Sequence, residues 1–375
     1  MRRFYALFKK EFRQIRRDPL SLGLLVFVPA MLLTLYGYAL SFDVKNITLA
    51  VCDDDHTQES RRFLDRLFQN AYFVRVADLV SSAQADDFLA CGTARAVVLM
   101  PRGFARDLAR GEPAVVQVLV DGADANTGTV TLGYLEALAE RANRDIRMQA
   151  LDRAGLDARM IPAIQPVPRL WFNPELRSGK FLVPGIIAML LMLSCVIATS
   201  LSIVREKERE TMEQIRVSPV QPEELILGKI LPYVLVGLIT MTIVLIIGRL
   251  LFGVVIIGSF VLLGLATVLF LFAALGMGLL ISSVTRSQQV AFQIALIASL
   301  LPSILLSGLV FPIRNMPLPI QWLTLLAVPR YFVTVLRGVI LKGTPLLVLW
   351  PHFLAMLALG LVFNFAAARN MRKVQ

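Results

Sequence analysis

Six stretches of this chain, residues 21–41, 181–204, 230–252, 259–284, 288–311 and 346–367, run for about twenty residues or more with no Asp, Glu or Lys in their interiors. A hydrocarbon core about 30 Å thick is crossed by about twenty apolar residues in a helix. In that medium the backbone must satisfy its own hydrogen bonds, so helices are the form such stretches take. Arg249 falls near a span end, where its side chain can snorkel. Pro29, inside the first stretch, is tolerable because neighbouring groups re-satisfy the freed carbonyl. Composition agrees: 56% of the 375 residues are hydrophobic, above the roughly 45–50% of soluble domains.

Charge gives the expected topology. Residues 1–20 hold seven basic and two acidic residues, and residues 225–375 hold ten basic and no acidic residues. Positive charge therefore flanks apolar spans instead of forming one patch, which suits an anionic membrane surface and argues against nucleic acid. The basic start keeps the N-terminus in the cytoplasm, and six spans return the C-terminus there, where Arg369, Arg372 and Lys373 agree. Within "MRRFYALFKKEFRQIRRD", Phe4, Leu7, Phe8, Phe12 and Ile15 recur at helical spacing with basic residues opposite. Residues 1–20 are thus expected to be an amphipathic helix lying on the membrane surface, followed by an uncleaved first span over 21–41.

Residues 42–180 have an ordinary globular composition and fall outside the cytoplasm in this scheme. Strands are expected at 47–53, 73–79, 94–101 and 114–122, with helices at 57–70, 82–91 and about 128–155. Thr57 is the expected N-cap of the first helix. This alternation predicts a small α/β domain between membrane helices one and two. Cys52 and Cys91 share it and could pair if it is extracytoplasmic, but three cysteines make no disulfide framework, and a disulfide is the less expected outcome. "CDDDH" (52–56) and "DGADAN" (121–126) resemble cation sites superficially. Both fall where a strand turns into a helix, so caps and turns are the expectation.

Residues 312–345 contain enough Leu, Trp and Val for a seventh span, but also Pro317, Pro319, Pro329, Arg330 and Arg337. They are expected to form a re-entrant helical hairpin before helix six. Residues 181–375 then make the membrane domain with helices two to six and a cytoplasmic loop at 205–229.

Enzymatic motifs are missing from the sequence. The Gly-Lys pairs at 179–180 and 228–229 are followed by Phe181 and Ile230, so no phosphate-binding loop of the G-x-x-x-x-G-K-[ST] type occurs. Two histidines make a histidine metal cluster unlikely on counting alone. No catalytic and no metal site is expected. The membrane part is expected to hold no buried carboxylate, which counts against a proton-coupled carrier. Ala273, Ala274, Gly276 and Gly278 mark a face for close helix approach, within one subunit or between two. Ser194, Thr199, Ser200, Gln293, Ser299, Ser303 and Ser307 are polar residues that either line a substrate pathway or bond back to their own helices.

The stretch "LSIVREKERETMEQIRVSP" (201–219) leaves a span and alternates charge from Arg205 to Glu210. Opposite signs at i,i+3, such as Arg205 with Glu208, are expected to stabilise a solvated helix by a few tenths of a kcal/mol. Met212, Ile215 and Val217 add apolar residues beside Glu213 and Gln214. Ser218-Pro219 then stops the helix, and Pro222-Glu223-Glu224 starts another. A helix-stop-helix elbow carrying apolar residues suits docking of a soluble partner.

These residues resemble the permease subunits of type-2 ABC exporters. "REKERETMEQIRVSP" followed by "LILGK" (225–229) is similar to their pattern at this place, as are "KKEFRQIRRDP", "VDGADANT" (120–127) and "FPIRNMP" (311–317). Glu210 stands where Gly is common, and Arg216 where an apolar residue is common. The resemblance implies a multi-pass protein of the bacterial inner membrane, with both termini cytoplasmic. It implies pairing with a second permease chain, identical or paralogous, and with separate ABC ATP-binding subunits. ATP and Mg would bind those subunits, leaving no cofactor in this chain. Glu206, Arg209, Thr211, Met212, Glu213, Gln214, Ile215, Val217, Ser218 and Pro219 would carry ATPase coupling. Many relatives also use a periplasmic adaptor and an outer-membrane channel, and their substrates range over drugs, lipids and glycans. The competing classes are a secondary carrier, which needs coupling-ion ligands in its spans, and a membrane sensor or assembly protein using the external domain.

Overall fold

The structure, a computed structural model, describes residues 2–39, 46–70, 72–153, 171–173, 177–210 and 222–374. Contacts divide the chain into two compact units: Met1–Ser41 with Arg169–Gln375, and Phe42–Pro168. The first unit opens with α1 (Arg2–Arg17), α2 (Pro19–Leu22) and α3 (Val28–Ala39), the last two joined by a π-helical turn over Gly23–Phe27. On α1, Ile15 is buried as its spacing predicts, whereas Tyr5 and Phe12 are exposed. Glu11, on the same helix, is buried too. The helical path from 19 to 39 rises about 30 Å at 1.5 Å per residue. Residues 40 and 41 of the expected first span lie outside the described residues.

The second unit contains β1 (Ile47–Asp53), α4 (Gln58–Phe68), β2 (Phe73–Asp78), α5 (Ala85–Ala90), β3 (Ala96–Met100), α6 (Phe104–Arg110), β4 (Gln117–Val120) and α7 (Ala125–Arg153). The sheet order is β2-β1-β3-β4. β1 pairs in parallel with β2 and β3, and β4 closes the sheet antiparallel to β3. Alternation along β1 sends Ile47, Leu49 and Val51 to a core shared with Leu64, Phe104 and Leu135. Ala50 and Cys52 enter a smaller core with Leu79, Ala85 and Val97. Two apolar faces on one sheet require helices on both sides.

Thr57 caps α4 by accepting a hydrogen bond from the Ser60 amide at 3.2 Å. The acidic runs act as caps and turns. Asp53 accepts from the Ser60 hydroxyl at 2.8 Å. Asp55 accepts from the amides of Gly103 (2.7 Å) and Ala105 (3.0 Å), fixing the start of α6. Asp124 accepts from the amides of Asn126 and Thr127, so α7 begins a few residues before the expected 128. Cys52 is buried, Cys91 is exposed and both are free. Burial alone would raise the Asp55 carboxyl, but bonds from Thr57 and the Ala105 and Gly103 amides outweigh it and hold the carboxyl below its ordinary value. A carboxyl depressed by folding contributes stability above its unfolded pKa, near 3.8, and loses it as pH falls through the lower folded value. Hydrogen exchange of the β1 and β3 amides, corrected for intrinsic rates, should therefore show protection falling as pH drops below about 4. Asp55→Asn should show a smaller drop over that range, starting from lower protection; an unchanged pH profile would remove Asp55 as the cause.

The first unit continues with α8 (Ser178–Glu208), α9 (Pro222–Phe252), α10 (Phe260–Val284), α11 (Gln288–Leu301), α12 (Leu318–Leu323), α13 (Val328–Arg337) and α14 (Leu346–Val374). Among the described residues, five helices are long and apolar enough to cross a membrane: 178–208, 227–252, 260–284, 288–306 and 346–370. The protein is therefore a multi-pass helical membrane protein. Helix α8 is buried along most of its length and packs against α3, α9, α10, α11 and α13. Residues 318–326 and 328–342 form a helix pair bent by 88°. The two arginines in this pair satisfy backbone carbonyls. Arg337 donates to Gly308 (2.8 Å), Leu309 (3.2 Å) and Phe181 (3.2 Å), and its guanidinium lies 3.7 Å over the Phe181 ring. Arg330 donates to the Gln321 carbonyl and the Thr324 hydroxyl. The small-residue face packs within this chain. A Cβ on Gly278 would meet the Val196 carbonyl at 2.7 Å, and one on Gly276 would meet Asn364. Ala273 and Ala274 are fully buried.

Candidate functional site

The charged end of α8 departs from the solvated helix expected of it. Arg205, Glu206, Lys207 and Glu208 do not form a ladder along their own helix; each reaches a different element. Arg205 pairs with Asp18, between α1 and α2, at 2.8 Å. Glu206 Oε1 pairs with Lys10 of α1 at 2.6 Å, and Oε2 pairs with Lys229 of α9 at 2.8 Å. Lys207 donates to the carbonyls of Ser282, Ser283 and Thr285, the last at 3.2 Å, and so caps the C-terminal end of α10. Glu208 accepts from the Gln288 amide at 2.7 Å and from its side chain, at the N-terminus of α11. A cation on carbonyls that end a helix and an anion on amides that begin one both match the helix dipoles.

The centre of this cluster is dry. Lys229 and Glu11 are each 1% exposed and Glu206 is 5% exposed. Lys229 donates to Glu11 at 3.1 Å as well as pairing with Glu206. Lys10, about half exposed, bonds both carboxylates. Two carboxylates thus face two ammonium groups. Burial of an isolated ion is expensive, and mutual pairing with hydrogen bonds is the arrangement that offsets it.

This corrects the view that the membrane part holds no buried carboxylate. Glu206 and Glu11 are buried because the helices outrun the apolar runs and α1 folds across their ends. The span limits 181–204 and 230–252 exclude Glu206 by two residues and Lys229 by one. Glu206, one of the residues expected in the coupling set, is buried and paired with Lys10 and Lys229. Arg209, the C-cap residue of α8, is exposed and borders an open cleft with Arg17, Asp18 and Arg205. Thr211, Met212, Glu213, Gln214, Ile215, Val217, Ser218 and Pro219 lie outside the described residues. Sequence reading gave no site role to Lys10, Glu11, Asp18 and Lys229; the available signals were that all four fall within the quoted stretches "KKEFRQIRRDP" and "LILGK", and that Glu11 is the lone acid among the basic residues of α1.

Most of the candidate pathway residues bond back to their own helices. Thr199 donates to the Cys195 carbonyl (2.8 Å) and Ser200 to Ile197 (3.0 Å). Ser299 donates to Ala295 and Ser303 to Ser299, each at 2.6 Å, and Ser307 donates to Ser303. Ser194 is half-buried on α8, and Gln293 is exposed on α11.

The chain has relatives among known proteins. Residues 20–369 match the family described as ABC-2 family transporter protein. The chain belongs to this family. The ABC-2 permease is 34% identical over 366 residues to the probable multidrug ABC transporter permease YbhS of Escherichia coli strain K12, covering 96% of this chain and 94% of that protein. It is 30% identical over 372 residues to the probable multidrug ABC transporter permease YbhR of the same strain, covering 99% and 98%. The inner membrane transport permease YhhJ, also of that strain, is 27% identical over 380 residues, covering 100% of this chain and 98% of its own length. This chain is therefore a membrane subunit of an ABC transporter. Lys10, Glu11 and Asp18 of the ionic knot precede the residues matched by the family.

Proposed function

We propose that this ABC-2 permease is the transmembrane subunit of an ATP-driven exporter, coupled to separate ATPase subunits through residues 205–219. The observation that carries this is the knot at the end of α8. The residues that lead into the elbow are bonded to α1, α9, α10 and α11, so displacement of the elbow is transmitted to several membrane helices together. A solvated loop has no need of such fastening. Thr211 to Pro219 supply the docking elements, and the cargo is an amphipathic drug, lipid or glycan-like molecule, in keeping with the multidrug names of YbhS and YbhR. The permease works as a pair, identical or paralogous, in a bacterial inner membrane. A periplasmic adaptor and outer-membrane channel complete the route in this reading, and Phe42–Pro168 form the extracytoplasmic domain that meets them. The secondary-carrier alternative has a new observation, two buried carboxylates, but both are neutralised by lysines at one end of the bundle.

Two experiments test the reading. The purified permease should neither bind nor hydrolyse ATP, and hydrolysis should appear only when a cassette subunit is co-purified. Turnover by the isolated chain that survives removal of contaminants overturns the assignment. With six spans and residues 312–345 re-entrant, green fluorescent protein fused after Gln375 should fluoresce, because the tail is cytoplasmic. A periplasm-dependent reporter active at that position would instead make 312–345 a true span.

A further inference from the structure

The α/β unit holds a cleft of about 580 Å³ between the end of α4, the start of β2 and α7. That volume lies in the range of small-molecule sites, which combine apolar walls with a few convergent polar groups. Phe63, Leu67 and Leu138 line its apolar side. On its wall, Tyr72 and Tyr134 stack with centroids 4.4 Å apart, and Phe73 meets Tyr134 edge-on at 6.4 Å. Tyr72 is 46% exposed, so a flat apolar body can extend the stack.

The polar groups define charge and bonding. Arg66 pairs with Asp145 at 3.4 Å, which cancels both charges. Arg141, also lining the cleft, is exposed and has no ion pair among the described residues, so the cleft keeps one positive charge. Asn70 donates from Nδ2 to the Arg66 carbonyl, while its buried Oδ1 has no hydrogen-bond partner among the described residues. A buried acceptor left unpaired is costly, and turning the Asn70 amide toward the cleft lets a ligand donor satisfy it.

We propose that this cleft is a binding site for a small amphipathic anion: a flat aromatic body with a carboxylate or sulfonate for Arg141 and a hydroxyl for Asn70. The site is separate from the ionic knot, and its occupant need not drive hydrolysis.

The test uses the full-length permease in phosphatidylcholine nanodiscs and calorimetry, with empty nanodiscs as the background. The probes are naphthalene sulfonate, a hydroxynaphthalene sulfonate and a naphthylmethyl ammonium. The two sulfonates should bind, the hydroxylated one more tightly, and the ammonium should bind at least tenfold more weakly. Arg141→Gln should weaken sulfonate binding about tenfold or more while leaving the melting temperature unchanged, since Arg141 is exposed and has no ion pair among the described residues. Asn70→Leu should erase the advantage of the hydroxyl. The proposal is overturned by no binding above empty nanodiscs, by equal affinity for the ammonium, or by sulfonate affinity that Arg141→Gln leaves intact. None of these readouts involves ATP or a partner subunit, so the result is independent of the exporter reading.

Discussion

Lys229→Met should remove most of the folded permease from the membrane. Lys229 is 1% exposed and is bonded to Glu11 at 3.1 Å and to Glu206 at 2.8 Å. Without it, two buried carboxylates share Lys10 alone, a residue about half exposed and free to turn toward water. Removing one partner of a buried ionic cluster typically costs about 3–5 kcal/mol, because the charge left behind is uncompensated. Against a total stability of about 5–15 kcal/mol, that loss is large. Membrane abundance and the melting temperature in detergent should both fall. The same principle supplies the control. Glu11→Gln and Glu206→Gln added to Lys229→Met remove the stranded charge and should recover much of the abundance, although each single carboxylate change costs stability alone. A Lys229→Met protein that is as abundant and as heat-stable as wild type would show that the knot is wet and weak, contrary to its burial.

How far the sequence reveals this molecule follows from the range of each signal. Membrane helices are legible because twenty uncharged residues in succession have few other uses. The prolines of 312–345 foretell a break, and the chain bends by 88° at Ala327. Thr57 is readable as a cap because its bond is local. Helix α6 is not readable: seven residues between Gly103 and Gly111, both at positive φ, are too few to establish a period. Its start depends on Asp55, which lies 48 residues earlier in the chain. The knot is hidden for the same reason. The Lys229–Glu11 bond joins residues 218 apart. In a linear reading, Arg205 to Glu208 invites i,i+3 pairing; in the fold, stronger partners are available. Helix ends and buried ammonium groups outbid a solvated pair worth a few tenths of a kcal/mol.

The largest effect on function is expected from Met212→Asp combined with Ile215→Asp. The alternating charges end in a stretch where Met212, Ile215 and Val217 stand among Glu213, Gln214 and Arg216. Apolar side chains at the centre of an interface usually carry most of its energy, and rim charges contribute less because solvent screens them. If Met212 and Ile215 seat in an ATPase cleft, two aspartates there bury unpaired charge, costing several kcal/mol and so most of the complex. The defect should be specific. Both residues follow the apolar span 181–204 in the sequence and lie outside the hydrocarbon stretch. Insertion and abundance should therefore stay near wild type, unlike those of Lys229→Met. Co-purification of the ATPase subunit and substrate-stimulated hydrolysis should both be lost. Under the proposed coupling, the contrast between the two variants separates the parts of the assembly: one disrupts the node that gathers the helices, the other the contact proposed to move it. Wild-type binding and stimulation in a normally inserted double mutant would mean that the elbow is a solvated loop, and that force enters the permease elsewhere.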